Sequence, residues 1–176
     1  MELIATERLL LCPLSADDAE FILRLLNTPG WLEFIGDRGI RTLADAEQYI
    51  IGGPAKSYSR NGFGLWLVKT KTGDSIGICG LINRDTLEDI DLGFAFLPEF
   101  EGKGYALEAA NASLELAQNK FGMKRVVAIT EPGNRRSVNL LEKTGMKFER
   151  EIILAGETAT LLLFGINFTG GKTQKQ

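Results

Sequence analysis

Leu97-Pro98-Glu99-Phe100-Glu101-Gly102-Lys103-Gly104-Tyr105-Ala106-Leu107 is the stretch on which the fold turns. It leaves a strand, Asp91-Leu92-Gly93-Phe94-Ala95-Phe96, passes through two closely spaced glycines and enters an alanine-rich helix. A glycine loop that opens a helix leaves several backbone N–H groups without partners, backed by the positive end of the helix dipole. That junction suits a phosphate or pyrophosphate. The same arrangement also serves as a plain turn, and these eleven residues alone leave both readings open.

Length and composition narrow the classes. With 176 residues, 44% hydrophobic and 24% charged, the chain fits one domain with a sizeable core, over residues 1–169. No apolar run is long enough to span a bilayer, and the start lacks the basic-then-apolar pattern of a leader. These features predict a cytoplasmic protein with no membrane partner. The net charge of -3 argues against nucleic acid and is compatible with a cationic partner such as an amine. Cys12 and Cys79 lie far apart without metal-ligand spacing, so no disulfide framework and no metal site are expected. Cys79, inside Ile76-Gly77-Ile78-Cys79-Gly80-Leu81, reads as a small core residue. The chain has no histidine, which removes Ser-His and Cys-His machinery and leaves carboxylates, Ser, Tyr, Lys, Cys, backbone and water for proton transfer.

Outward from the glycine loop, the periodicity predicts the remaining elements. Arg8–Leu14 reads as a strand stopped by Pro13. Ser15 caps a helix over about Ala16–Asn27 whose apolar face is Phe21, Ile22, Leu25 and Leu26. Thr28-Pro29-Gly30 breaks that helix, and Thr42, with Asp45 three residues on, caps another to about Ile50. Gly62–Thr70, Ser75–Asn83 and Ile90–Leu97 read as three strands of an antiparallel meander. The loop then feeds a helix over about Tyr105–Lys120, a β-branched strand at Arg125–Thr130, an amphipathic helix at Asn134–Lys143, and a strand pair, Met146–Ile153 and Ala159–Phe168. Residues 170–176 read as a frayed polar tail.

This order of elements resembles the GCN5-related N-acetyltransferase (GNAT) superfamily, and within it the RimJ/RimL-type acetyltransferases. Four stretches carry the likeness: Thr6-Glu7-Arg8-Leu9-Leu10-Leu11, Ile76-Gly77-Ile78-Cys79-Gly80-Leu81, Gly102-Lys103-Gly104-Tyr105-Ala106-Leu107-Glu108-Ala109-Ala110, and Asn134-Arg135-Arg136-Ser137-Val138-Asn139-Leu140-Leu141-Glu142-Lys143-Thr144-Gly145-Met146. The resemblance implies a mixed α+β fold, with a twisted, mostly antiparallel sheet of about seven strands flanked by about four helices. It implies acetyl-CoA as donor, with its pyrophosphate on the loop of Glu101, Gly102, Lys103, Gly104, Tyr105 and Ala106. It sets pantetheine beside the backbone of Phe94 and Phe96, and gives Asn134 a hydrogen bond to the cofactor arm. The same Asn134 is also a good N-cap. The acceptor would be an amine, on a protein N-terminus or a small molecule. A homodimer is left open.

Two positions depart from the family pattern. Glu101 stands where Arg or Gln is usual, so a carboxylate sits beside the expected pyrophosphate unless it turns to solvent or pairs with Lys103. Leu141 stands where many members carry a proton-donating tyrosine; Ser137, one turn earlier, or Tyr105 can take that role, or the thiolate leaves unaided. The implied reaction is direct attack of the amine on the thioester. A lysine-like amine is neutral about one time in a thousand at pH 7, a penalty of roughly 4 kcal/mol, and an α-amino terminus costs far less, so a base or water relay is more pressing for lysine-like substrates. Asp91 is preferred over Glu88 and Asp89, all three being equally readable as a solvated hairpin edge. Trp31, Phe34 and Trp66 read as core or as acceptor-pocket lining. The departures keep alive a second reading, a CoA-binding sensor that has lost turnover.

Overall fold

The apolar runs read as strands all enter one sheet. In this computed structural model, which describes residues 3–168, the strands are β1 (Ile4–Ala5), β2 (Leu9–Pro13), β3 (Leu65–Thr70), β4 (Ser75–Ile82), β5 (Asp91–Phe96), β6 (Arg125–Thr130), β7 (Lys147–Ile152) and β8 (Leu161–Asn167). Their order is β1-β2-β3-β4-β5-β6-β8-β7, and every neighbouring pair is antiparallel except β5 with β6. The mixed α+β class and mostly antiparallel sheet match the expectation, with one more strand. β1 is too short to leave a periodic signal. The tail read at residues 170–176 lies outside the described residues. Among those described, no helix is long and apolar enough to cross a membrane.

The helices are α1 (Ala19–Leu26), α2 (Pro29–Phe34), α3 (Leu43–Ile50), α4 (Lys56–Asn61), α5 (Tyr105–Asn119) and α6 (Arg135–Lys143). The capping box at α3 forms as read: the Asp45 N–H donates to Thr42 Oγ1 at 3.1 Å, and the Thr42 N–H donates back to Asp45 Oδ2 at 2.9 Å. Thr28-Pro29-Gly30 ends α1 but also starts α2, with Thr28 as N-cap and Pro29 at the first helical position. Proline there loses nothing, because its missing N–H would have had no partner in that turn. α4 was unread. It follows a wide π-turn, Ile51–Ala55, holding Gly52, Gly53 and Pro54, residues that lower helix propensity while the chain keeps winding. The Tyr58 hydroxyl anchors α4, donating to the Leu65 carbonyl and accepting from the Leu14 N–H.

Two apolar layers cover the sheet. One, containing Trp66, Val68, Cys79, Leu81, Leu92 and Phe164, packs under the alanine face of α5. The other, containing Leu67 and Ile78, packs under α1 and α3. Side chains therefore alternate between layers along β3. A β-bulge at the Val68/Lys69 step inserts an extra residue in β4, which turns Ile76 into the same layer as Cys79 and Leu81. Burial pushes the Cys79 thiol up to about 12, so it is a core residue. Gly80 lets β3 and β4 meet: a Cβ there would stand 2.2 Å from the Gly64 carbonyl oxygen and 2.6 Å from the Trp66 ring.

The stretch Thr6-Glu7-Arg8 clasps the start of α5. Glu108 accepts from Thr6 Oγ1 at 2.6 Å, from the Arg8 N–H at 2.7 Å and from Arg8 Nε at 2.7 Å. Arg8 Nη1 then reaches the Lys103 carbonyl at 2.9 Å, and its guanidinium lies 4.7 Å from the Tyr105 ring centre. Burial opposes ionisation of Glu108, but these donors outweigh it and hold its pKa below the usual range. Glu108→Gln is expected to lower unfolding free energy at pH 7 by about 1–2 kcal/mol. A depressed folded pKa means this contribution is complete above about pH 4.3 and is lost as pH falls through the folded value. Urea denaturation of both proteins at neutral pH and again near pH ~3 checks it: the gap should close in acid.

Candidate active site

An interior strand normally pairs along both edges. β5 pairs with β4 through six residues, Asp91 to Phe96. On its other edge a single pair, Asp91 with Val127, joins it to β6. The Val127 N–H donates to the Ile90 carbonyl at 2.9 Å, while the Leu97 N–H donates to the Ile76 carbonyl on the β4 side at 2.9 Å. Backbone groups alternate sides along a strand. Residues 94 and 96 therefore turn their N–H and C=O toward β6 beyond the single Asp91–Val127 bridge, where the strands have parted. The sheet holds a gap lined by the Phe94 and Phe96 backbones. The Phe94 side chain is half-buried at a cavity wall, and the Phe96 ring is in the core against Gly77.

The gap leads into the glycine loop. Gly102 (φ 72°) and Gly104 (φ 82°) both lie in the left-handed region, which a side chain disfavours by about 1–2 kcal/mol. Gly104 sits directly at the N-terminus of α5, so the amides of Tyr105 and Ala106 begin a fifteen-residue helix with no side-chain cap. Glu101, Gly102, Lys103 and Gly104 are exposed. The partner of Glu101 is Arg136 of α6 rather than Lys103. Lys103 Nζ lies 5.5 Å from the Phe100 ring centre. The Tyr105 ring is engaged by Arg8 and Phe100 and does not line the cavity.

Across the gap, α6 opens on Asn134. Its Oδ1 accepts the Ser137 N–H at 3.1 Å, so the cap function read from the sequence is present. Because Oδ1 is the capping atom, the Nδ2 end is the one left to donate. Asn134 and Ser137 both line a cavity of about 450 Å³ that runs from the strand gap to α2 and α4. Leu141 is fully buried in the core and cannot reach it.

Asp91 sits where β5 and β6 part, 1% exposed, with Oδ2 accepting from Arg84 Nε at 2.5 Å. Its Oδ1 has no hydrogen-bond partner of ordinary geometry, although the Ile129 N–H lies near enough to favour the charged form. Burial lifts its pKa to about 6 against the pull of Arg84. The alternatives are placed elsewhere: Asp89 accepts from Arg125 at 2.8 Å, and Glu88 is exposed outside the cavity. Phe34 lines the cavity, Trp31 lines it from within the layer under α1 and α3, and Trp66 is core alone. Arg84 and Arg136 were missed. Arg84 lies in a polar loop without a pattern; its one clue is that it precedes Asp91 across a reversing connection. Arg136 stood inside a quoted motif, but its reach to Glu101 depends on how α6 docks.

Comparison with known proteins agrees with this architecture. Residues 8–147 match the family model described as acetyltransferase (GNAT) domain. The chain is 27% identical over 153 residues to the uncharacterized protein YkkB of Bacillus subtilis (strain 168), covering 85% of this chain and 87% of that one. It is 26% identical over 163 residues to the uncharacterized N-acetyltransferase p20 of Bacillus licheniformis, covering 88% and 86%. The fold superposes on an acetyltransferase from Agrobacterium tumefaciens str. C58 with TM-score 0.81 at 24% identity, covering 96% and 95%. It also superposes on RimL, the ribosomal L7/L12 alpha-N-protein acetyltransferase in complex with coenzyme A, with TM-score 0.81 at 14% identity, covering 94% and 98%. With the matched model spanning β5, α5, β6 and α6, the elements that frame the gap, and the fold shared along the chain, this protein belongs to the GNAT family of acetyltransferases.

Proposed function

We propose that this protein transfers the acetyl group of acetyl-CoA to a primary amine, on a protein N-terminus or a small molecule, in the cytoplasm. The observation that carries the reading is a pair of open backbone sets, the β6-facing edge of β5 and the uncapped first turn of α5, joined by one short connection. A donor with amides along its arm can complete that edge as a strand would, and its diphosphate then meets the amides of Gly102–Ala106 at the positive end of α5. The Gly102 and Gly104 backbones permit that approach. A Cβ on Gly104 would also press within 3.1 Å of Arg8 Nη2. Arg136 neutralises Glu101, which removes the main electrostatic objection to an anion there. In this reading Asn134 Nδ2 donates to the arm while Oδ1 keeps the cap.

The chemistry follows from the same placement. A backbone N–H near Phe96 polarises the thioester carbonyl. Asp91 accepts the amine proton, directly or through one water, and its raised pKa brings it close to the working pH. Ser137, buried in the first turn of α6, offers its hydroxyl to the departing sulfur. Thiol release measured against a panel of amines and N-terminal peptides tests the activity: binding of acetyl-CoA without any turnover would favour a sensor instead.

Asn134→Asp keeps a good N-cap but replaces the donor with an acceptor. Calorimetric titration is expected to show acetyl-CoA affinity reduced about tenfold, with the melting temperature nearly unchanged; equal affinity would remove Asn134 from the site. Gly104→Val is expected to weaken acetyl-CoA binding at least as much, and undiminished binding would refute the loop assignment.

A base with pKa near 6 is inactive when protonated, so kcat/KM should fall below about pH 6. Asp91→Asn is expected to reduce kcat/KM by about a hundredfold and to abolish that acid limb. A variant whose profile keeps the limb would show that Asp91 only positions Arg84.

A further inference from the structure

The far end of the cavity carries a charge that the chain as a whole does not. Arg38, Lys56, Arg60 and Arg84 line it, against the carboxylates of Asp85 and Asp91. Of the four cations only Arg84 has a carboxylate partner among the described residues, Asp91. Arg38, Lys56 and Arg60 are exposed and form no ion pair among the described residues. The nearby Asp37 is taken by Arg41, at 2.5 Å. In a protein of net charge -3, three unpaired cations around one concavity repel one another and attract an anion. They are brought together by the fold, Arg38 from the loop after α2 and Lys56 and Arg60 from α4, beside Arg84 from the connection before β5. Tyr49 reports the convergence. Burial lifts its hydroxyl pKa, and both Arg38 and Arg84 are close enough to oppose that shift.

The glycine loop at 101–106 does not line this cavity, so the diphosphate expected there is not the anion these residues await. We propose that the acceptor is an amine carrying a carboxylate close to its nitrogen, held by Arg38, Lys56 and Arg60 while the amine points toward Asp91. The inference rests on the acetyltransfer reading and narrows its acceptor. It reverses the expectation from net charge, since a simply cationic acceptor meets like charge at the entrance. The same cations favour the neutral form of a bound amine, the form that attacks. An α-carboxylate of a free amino acid and an acidic side chain near a peptide N-terminus present the same chemistry.

Matched acceptors separate these sources. Free amino acids are compared with their carboxamides, and short peptides bearing Asp or Glu at the second position with their Asn or Gln counterparts, by kcat/KM for thiol release. We expect the anionic member of at least one set to be preferred by about tenfold or more. That preference should shrink as salt is raised and disappear in the exposed double variant Arg38→Ala/Arg60→Ala, with acetyl-CoA affinity unchanged by calorimetry. The set that shows it tells a free amino acid from a peptide. Turnover of neutral amines at equal or greater efficiency, or a preference that survives in the double variant, overturns the inference alone. Intact acetyl-CoA binding with no thiol release from any acceptor overturns the acetyltransfer reading, and this inference with it.

Discussion

Backbone N–H and C=O groups in the middle of a sheet are costly to leave unpaired, and β5 leaves a row of them open at its β6 edge. The opening survives because each side is held by its own partner. β4 fixes β5 through six pairs and β8 fixes β6 through six, so neither strand is free to close on the other. The two strands pair at one point, Asp91 against Val127. Everything in the candidate site is measured from that point: the open edge of β5, the buried carboxylate at its apex, and Asn134 and Ser137 on the helix that follows β6.

An open edge needs a fixed neighbour if a ligand is to span from it to a helix end. α5 is held close by small residues, with Ala109, Ala110 and Ala117 fully buried, so its backbone approaches the sheet and its dipole has a set direction. Arg8 fixes the other end of the same junction. By bonding Glu108, the Lys103 carbonyl and the Tyr105 face, it ties the N-terminal strand to the loop and the first helical turn together. The distance in sequence is about a hundred residues, but the loop's conformation depends on it.

This dependence explains what the sequence disclosed. Local chemistry was legible: the Thr42–Asp45 box, the glycine loop, the bounds of β6 and the capping role of Asn134 are each written within a few residues. Pairings across the fold were not. Glu101 meets Arg136 instead of Lys103 because α6 docks its first turn over the loop, a tertiary fact with no local trace. α4 was hidden because Gly52-Gly53-Pro54 reads as a break, while packing of Pro54 and the Tyr58 hydroxyl carries the chain through it. Trp31, Phe34 and Trp66 looked alike in the sequence, and only topology sorts Phe34 to the cavity, Trp66 to the core and Trp31 to both.

The two ends of the site differ in how they recognise charge. In the proposed reaction, main-chain amides and a helix dipole at the α5 end would meet the donor's diphosphate, with Arg136 offsetting Glu101; a backbone cradle suits a donor whose charged part never varies. At the other end, flexible side chains from separate elements, Arg38, Lys56 and Arg60, provide the positive charge. Such residues can change independently without disturbing the sheet gap or the helix. Asp91 stands between them, ionisable near neutrality because burial and Arg84 act against each other. On the proposed reading, the shared chemistry rests on backbone and the buried apex, and the choice of acceptor falls to a rim of exposed side chains.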